Sequence, residues 1–87
     1  MKRAVITGGA SGIGRHLAMG FAKEGYEVFA LDIIDTSFSE KNIHFYKMDL
    51  RSESEIHQCF KKITEKYGEI SVLINNGAIS KFNKSDL

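Results

Sequence analysis

Eighty-seven residues, 43% of them hydrophobic and 26% charged, describe one small globular domain with enough apolar surface for a core. A net charge of +1 gives no electrostatic case for nucleic acid or an anionic membrane, and no apolar run approaches the ~20 residues of a membrane span. The single cysteine, Cys59, excludes an internal disulfide and fits a reducing compartment.

Residues 2–7 are expected to form a strand buried on both faces, as in a parallel sheet covered by helices. Thr7-Gly8-Gly9-Ala10-Ser11-Gly12-Ile13-Gly14 follows as a glycine-rich turn, and residues 12–24 then read as a helix. Ile13, Leu17 and Phe21 recur at helical spacing and predict its apolar face, with Gly20 on the same side allowing close contact with the sheet. Gly25 stops it as a C′ residue. Residues 27–32 form a second strand ending in Asp32. Ile33 to Asn42 has no periodicity and is expected to be a loop with at most one helical turn.

A third strand over 43–48 has the mixed pattern of a sheet edge. Ser52-x-x-Glu55 is a capping box, and Ile56, Cys59, Phe60, Ile63 and Tyr67 form the apolar stripe of the helix it opens. Gly68 ends that helix, and 70–74 make a fourth strand. The order predicts right-handed crossovers and an α/β, Rossmann-type parallel sheet with helices on both faces, partial, in strand order 3-2-1-4.

A strand, a glycine turn and a helix start together make a phosphate cradle, because backbone N–H groups and the helix dipole converge where no Cβ intrudes. Asp32 then stands about where a dinucleotide fold places its ribose-binding carboxylate, roughly 20 residues on. The spacing T-G-x-x-x-G-I-G, with Asp32, Asp49-Leu50 and Asn75-Asn76-Gly77-Ala78 in order, resembles the classical short-chain dehydrogenase/reductase family. This resemblance covers nearly the whole chain.

It implies an oxidoreductase that moves a hydride between a nicotinamide and a carbonyl or alcohol substrate. It also implies cofactor contacts from Gly8, Ser11, Gly12, Ile13 and Gly14, with Thr7 steadying the turn. Asp32 and the neighbouring Ile33 would face the adenosine ribose, Asp49 and Leu50 the adenine, and Asn75, Gly77 and Ala78 the nicotinamide side. Gly77-Ala78 exchanges the last two residues of the family's usual Asn-Asn-Ala-Gly, which bears on the backbone near the nicotinamide ribose. Arg15 could approach a phosphate, but a solvated helix residue is the expected reading. The carboxylate of Asp32, with no basic residue at positions 11 or 33, favours NAD over NADP.

The family's catalytic Ser and Tyr-x-x-x-Lys have no counterpart: Tyr26, Tyr46 and Tyr67 are followed four residues on by Ala30, Leu50 and Ser71. The chain therefore reads as the cofactor-binding part of a longer enzyme and is expected to be inactive alone. Residues 1–79 would be the NAD-binding half-domain and 80–87 a polar tail, poorly ordered on its own. His16, His44, His57 and Cys59 lack ligand spacing, so no metal is expected, and Cys59 reads as a buried small hydrophobe. Lys2-Arg3 precedes too few apolar residues for a signal peptide, so the cytoplasm is the expected location. A homo-oligomer is expected, without nucleic acid or membrane partners. The competing readings are a non-catalytic nucleotide-binding or redox-sensing protein, and an inert fragment with an exposed fourth-strand edge.

Overall fold

Four short β-branched and apolar runs pair in parallel because each is separated from the next by a connection long enough to cross back over the sheet. The computed structural model describes residues 1–76. Its elements are β1 (Arg3–Thr7), α1 (Gly12–Lys23), β2 (Glu27–Asp32), β3 (Ile43–Lys47), α2 (Glu53–Tyr67) and β4 (Val72–Asn75). The sheet runs β3-β2-β1-β4, as the sequence predicts, with Thr7 beside both Leu31 and Asn75. The expected tail 80–87, with Gly77 and Ala78, lies outside the described residues.

Side-chain alternation in the strands divides the core into two layers. Val5, Phe29 and Leu31 face α2, where Ile56, Cys59, Phe60 and Ile63 close over them. Ile6, Val28 and Ala30 face α1 and its Ala18 and Ala22. Burial on both sides explains why β2 is apolar at every position from Val28 to Leu31.

The apolar face of α1 differs from the expected one. Its buried stripe is Gly14, Ala18 and Ala22, while Leu17 and Phe21 are half-buried and Ile13 is 72% exposed. Gly20 is exposed and no atom lies within 4 Å of where its Cβ would be. Small residues thus let α1 lie close on the sheet, and the larger ones flank the contact. The helix ends in a Schellman arrangement: Gly25, at φ +90, donates to the Ala22 carbonyl at 3.0 Å, and Tyr26 to Phe21 at 3.1 Å.

The segment after β2 forms no helix before β3. Asn42 anchors its far end, its Nδ2 donating to the carbonyls of Ala22 and Tyr26 at 2.9 Å each. The fourth strand is Val72–Asn75, where 70–74 was expected; Ile70, ahead of it, packs against the α2-side core. No helix among the described residues is long and apolar enough to cross a membrane.

Candidate functional site

The carboxyl ends of β1, β2 and β4 meet where the strand order reverses direction, the usual position of a ligand crevice in an open parallel sheet. The glycine turn fills that position. Gly8, at φ +67, donates to the Leu31 carbonyl at 2.8 Å, and Gly9 donates to the same oxygen at 3.2 Å. These bonds fold the turn over the end of β2. Gly14 closes it: a Cβ there would stand 1.9 Å from the Gly8 oxygen. No L side chain fits in that gap.

Gly12 is different in kind. It takes φ +59, yet no atom lies within 4 Å of where its Cβ would be. Its glycine therefore serves backbone conformation and leaves open space beside the start of α1. Ser11 is the N-cap residue in extended conformation, but its hydroxyl makes no capping bond, and the first turn carries no acidic side chain. The first amides of a helix have no intrahelical partner. Among the described residues, none outside the helix supplies an acceptor to those of Gly12, Ile13 or Gly14.

Asp32 lies beneath this turn, 8% exposed. One carboxylate oxygen accepts from the Ala10 N–H at 3.0 Å, the other from the Ile34 N–H at 3.1 Å. The side chain thus ties the glycine turn to the segment after β2. A carboxylate has roughly four acceptor positions, so these two bonds leave others for a ligand hydroxyl. Ile33 and Ile34 are 53% and 58% exposed beside it.

On the β4 side, Thr7 Oγ1 donates to Asn75 Oδ1 at 3.0 Å, and Asn76 Nδ2 donates to the Gly8 carbonyl at 3.5 Å. The Asn pair, the last residue of β4 and the one after it, consequently joins β4 to β1 and to the turn. Asp49 and Leu50 follow β3 as expected, with Leu50 half-buried against the core. Asp49, however, is held by its neighbour. Arg51 donates through Nε and Nη2 to the two carboxylate oxygens, each at 3.0 Å, and its backbone N–H adds a bond of 2.9 Å. The guanidinium hydrogen bonds hold the Asp49 carboxyl below its ordinary range.

Arg15 departs from its expected solvated state. It is half-buried, with Nη1 donating to Thr36 Oγ1 at 3.0 Å, Nη2 to the Ser37 carbonyl at 3.1 Å, and Cζ 4.3 Å from the centroid of the Phe38 ring. Neither this contact nor the Arg51 fork follows from the residues' local pattern. The structure adds Gly9 and Ala10, whose backbone N–H groups bond to the Leu31 carbonyl and the Asp32 carboxylate and carry no signal in the sequence beyond their place in the glycine turn. A groove of about 610 Å³ lined by Lys2, His16, Leu17, Phe21 and Tyr26 shares no residue with the glycine turn.

The family model for short chain dehydrogenases matches residues 2–86. The chain belongs to that family. It is 34% identical over 85 residues to the Arabidopsis thaliana short-chain dehydrogenase reductase 3b, covering 90% of this chain and 33% of the relative. It is 35% identical over 89 residues to the 3-oxoacyl-[acyl-carrier-protein] reductase FabG of Thermotoga maritima, covering 92% and 36%. Among solved structures, the ligand-free aldohexose dehydrogenase of Thermoplasma acidophilum superposes with a TM-score of 0.83 at 32% identity, over 95% of this chain and 32% of that one. ElxO with NADP bound superposes with a TM-score of 0.79 at 32% identity, over 98% and 41%. The chain spans about a third of the length of these curated relatives.

The arrangement suits a dinucleotide. Open space at Gly12, unclaimed amides at the start of α1, and the Asp32 carboxylate lie along one rim. These are the chemistries needed for a pyrophosphate and for ribose hydroxyls.

Proposed function

We propose that this chain is the NAD-binding part of a short-chain oxidoreductase that moves a hydride between the nicotinamide and a carbonyl or alcohol carbon. The observation that carries the reading is the glycine turn: it is locked from below by Gly14 against Gly8 and left open at Gly12. Residues 1–79 would form the cofactor-binding half-domain.

Gly8, Ser11, Gly12, Ile13 and Gly14 would hold the pyrophosphate, chiefly through backbone N–H groups. Their dipoles favour an anion without any side-chain cation. Asp32 would accept from the ribose hydroxyls while its bonds to Ala10 and Ile34 keep it from turning away. Ile33 would add apolar surface near the ribose, and Leu50 near the adenine, with Asp49 accepting from the adenine amino group. Asn75, Gly77 and Ala78 would border the nicotinamide half. The bound cofactor supplies the hydride chemistry, and these residues supply position and electrostatics.

NAD is favoured because the buried Asp32 carboxylate would oppose a 2′-phosphate, and Ser11 and Ile33 offer no positive charge to offset it. ElxO, which holds NADP, shows that a relative at this level of identity takes the other cofactor. Titration decides the matter. In the full-length protein, NAD should bind at least about tenfold more tightly than NADP, the equivalent of one charged hydrogen bond. Asp32→Ala with Ile33→Arg should narrow or reverse that preference. Equal affinities in the wild type, or tighter NADP, would overturn the NAD assignment. Failure to bind either would overturn the dinucleotide reading.

A further inference from the structure

We propose that Arg15 is a positioning residue for the adenosine half of the site, holding the segment after β2 against α1 so that Ile33, Ile34 and Asp32 form one fixed wall. The inference rests on the dinucleotide reading above. Arg15 follows Gly14, whose backbone is pressed against Gly8, so its Cα is set by the tightest contact in the turn. From there its guanidinium reaches three consecutive residues: the Thr36 hydroxyl, the Ser37 carbonyl and the Phe38 ring. Those residues belong to the stretch between β2 and β3 that has neither helix nor strand to stiffen it.

The charge is in a costly place. A cation in the first turn faces the positive end of the helix dipole. The side chain offsets this by filling its donors at the loop and stacking on Phe38, which itself packs against the α1-side core. A planar, weakly hydrated fork can donate in its plane to two oxygens while laying its face over a ring, a geometry that the compact, strongly hydrated lysine ammonium does not reproduce.

The loop contacts and the site share a short tether. Ile34 donates to Asp32 only two residues before Thr36. Arg15 and Asp32 therefore pin the same segment from opposite ends. Releasing the Arg15 end frees the backbone that presents Ile33 and Ile34, and the adenosine must then reorder it on binding. The pyrophosphate cradle is untouched, because its amides belong to the glycine turn.

The test is calorimetric titration of ADP-ribose into the full-length protein and its R15A and R15K variants, with hydrogen exchange read at amides 33–38. Both variants should bind ADP-ribose about tenfold more weakly, the cost of reordering a released segment, and those amides should exchange faster. R15K keeps the charge and loses the fork, and it carries the comparison even if R15A fails to fold. Wild-type affinity in R15K would show that only charge matters, and would overturn the positioning role. Unchanged affinity in both variants with a lowered melting temperature would show a purely structural residue and overturn it equally. Absence of ADP-ribose binding by the wild type would instead remove the dinucleotide reading, and this inference with it.

Discussion

α1 and α2 both begin after a serine in extended conformation, yet the two helix starts are finished differently. At α2, Ser52 Oγ accepts from the Glu55 N–H at 3.2 Å, and Glu53 and Glu55 place negative charge against the dipole. Glu55 reaches further back, to the Asp49 N–H at 3.5 Å. That end is satisfied by its own side chains. At α1, Ser11 makes no capping bond and the first turn has no acid. What α2 fills from its own sequence α1 does not, and in the proposed reading a ligand anion supplies the acceptor there, with open space at Gly12. A helix start that is stable by itself and one that binds an anion differ in who supplies the acceptor.

The strongest way to break the open end is Gly14→Ala. Its Cβ would collide with backbone at 1.9 Å, so the turn has to move. We expect a stability loss of about 3 kcal/mol or more and no measurable dinucleotide affinity, read by denaturant unfolding and by titration. Gly12→Ala should behave otherwise. It meets no atom within 4 Å, so its cost is limited to the ~1–2 kcal/mol of a positive φ.

Asp32→Ala comes next, since it strips the acceptor from the N–H groups of Ala10 and Ile34. It should cost about 2 kcal/mol in thermal or denaturant unfolding and weaken NAD binding in parallel. Stability unchanged with binding lost would mean that the two backbone bonds contribute little.

The serines sharpen the comparison directly. Ser52→Ala should destabilise by ~1 kcal/mol without altering cofactor affinity. Ser11→Ala should leave stability unchanged, because its hydroxyl caps nothing. Equal losses in the two variants would show that both ends are capped alike.

The smallest effect concerns α2's buried face. Burial pushes the Cys59 thiol up to about 11, from an ordinary value of 9.0. The folded chain then retains its proton at pH values where the unfolded chain has released it. Stability from this group is complete below about pH 9 and falls as pH rises toward 11. Cys59→Ala should flatten that alkaline decline in a series of denaturant titrations, and thiol reagents should react slowly with the native protein at neutral pH.

Much of the fold is legible in the sequence. Both helices, their glycine stops and the Ser52 cap follow from patterns that act over a few residues, the strand order follows from the succession of elements and the handedness of their crossovers, and the structure has them. The apolar face of α1 did not follow. Ile13, Leu17 and Phe21 are the large residues, but the contact with the sheet is made by Gly14, Ala18 and Ala22, because closeness there favours small side chains over hydrophobic ones. The Arg15 tether was hidden for another reason: its partners are 21 and 22 residues away, in a segment without periodicity. Asp49 could be placed after β3, while its capture by Arg51 depends on a turn geometry that spacing alone does not fix.

The most direct test is a titration of NAD into isotope-labelled full-length protein, following backbone amide resonances at both helix starts. The largest shifts should appear at residues 8–14 and 32–34, with smaller ones at 52–55, whose Ser52 and Glu55 are bonded to the adenine-side Asp49. Shifts at Ser52–Glu55 with none at Gly12–Gly14 would contradict the assignment of α1 as the open, anion-binding end.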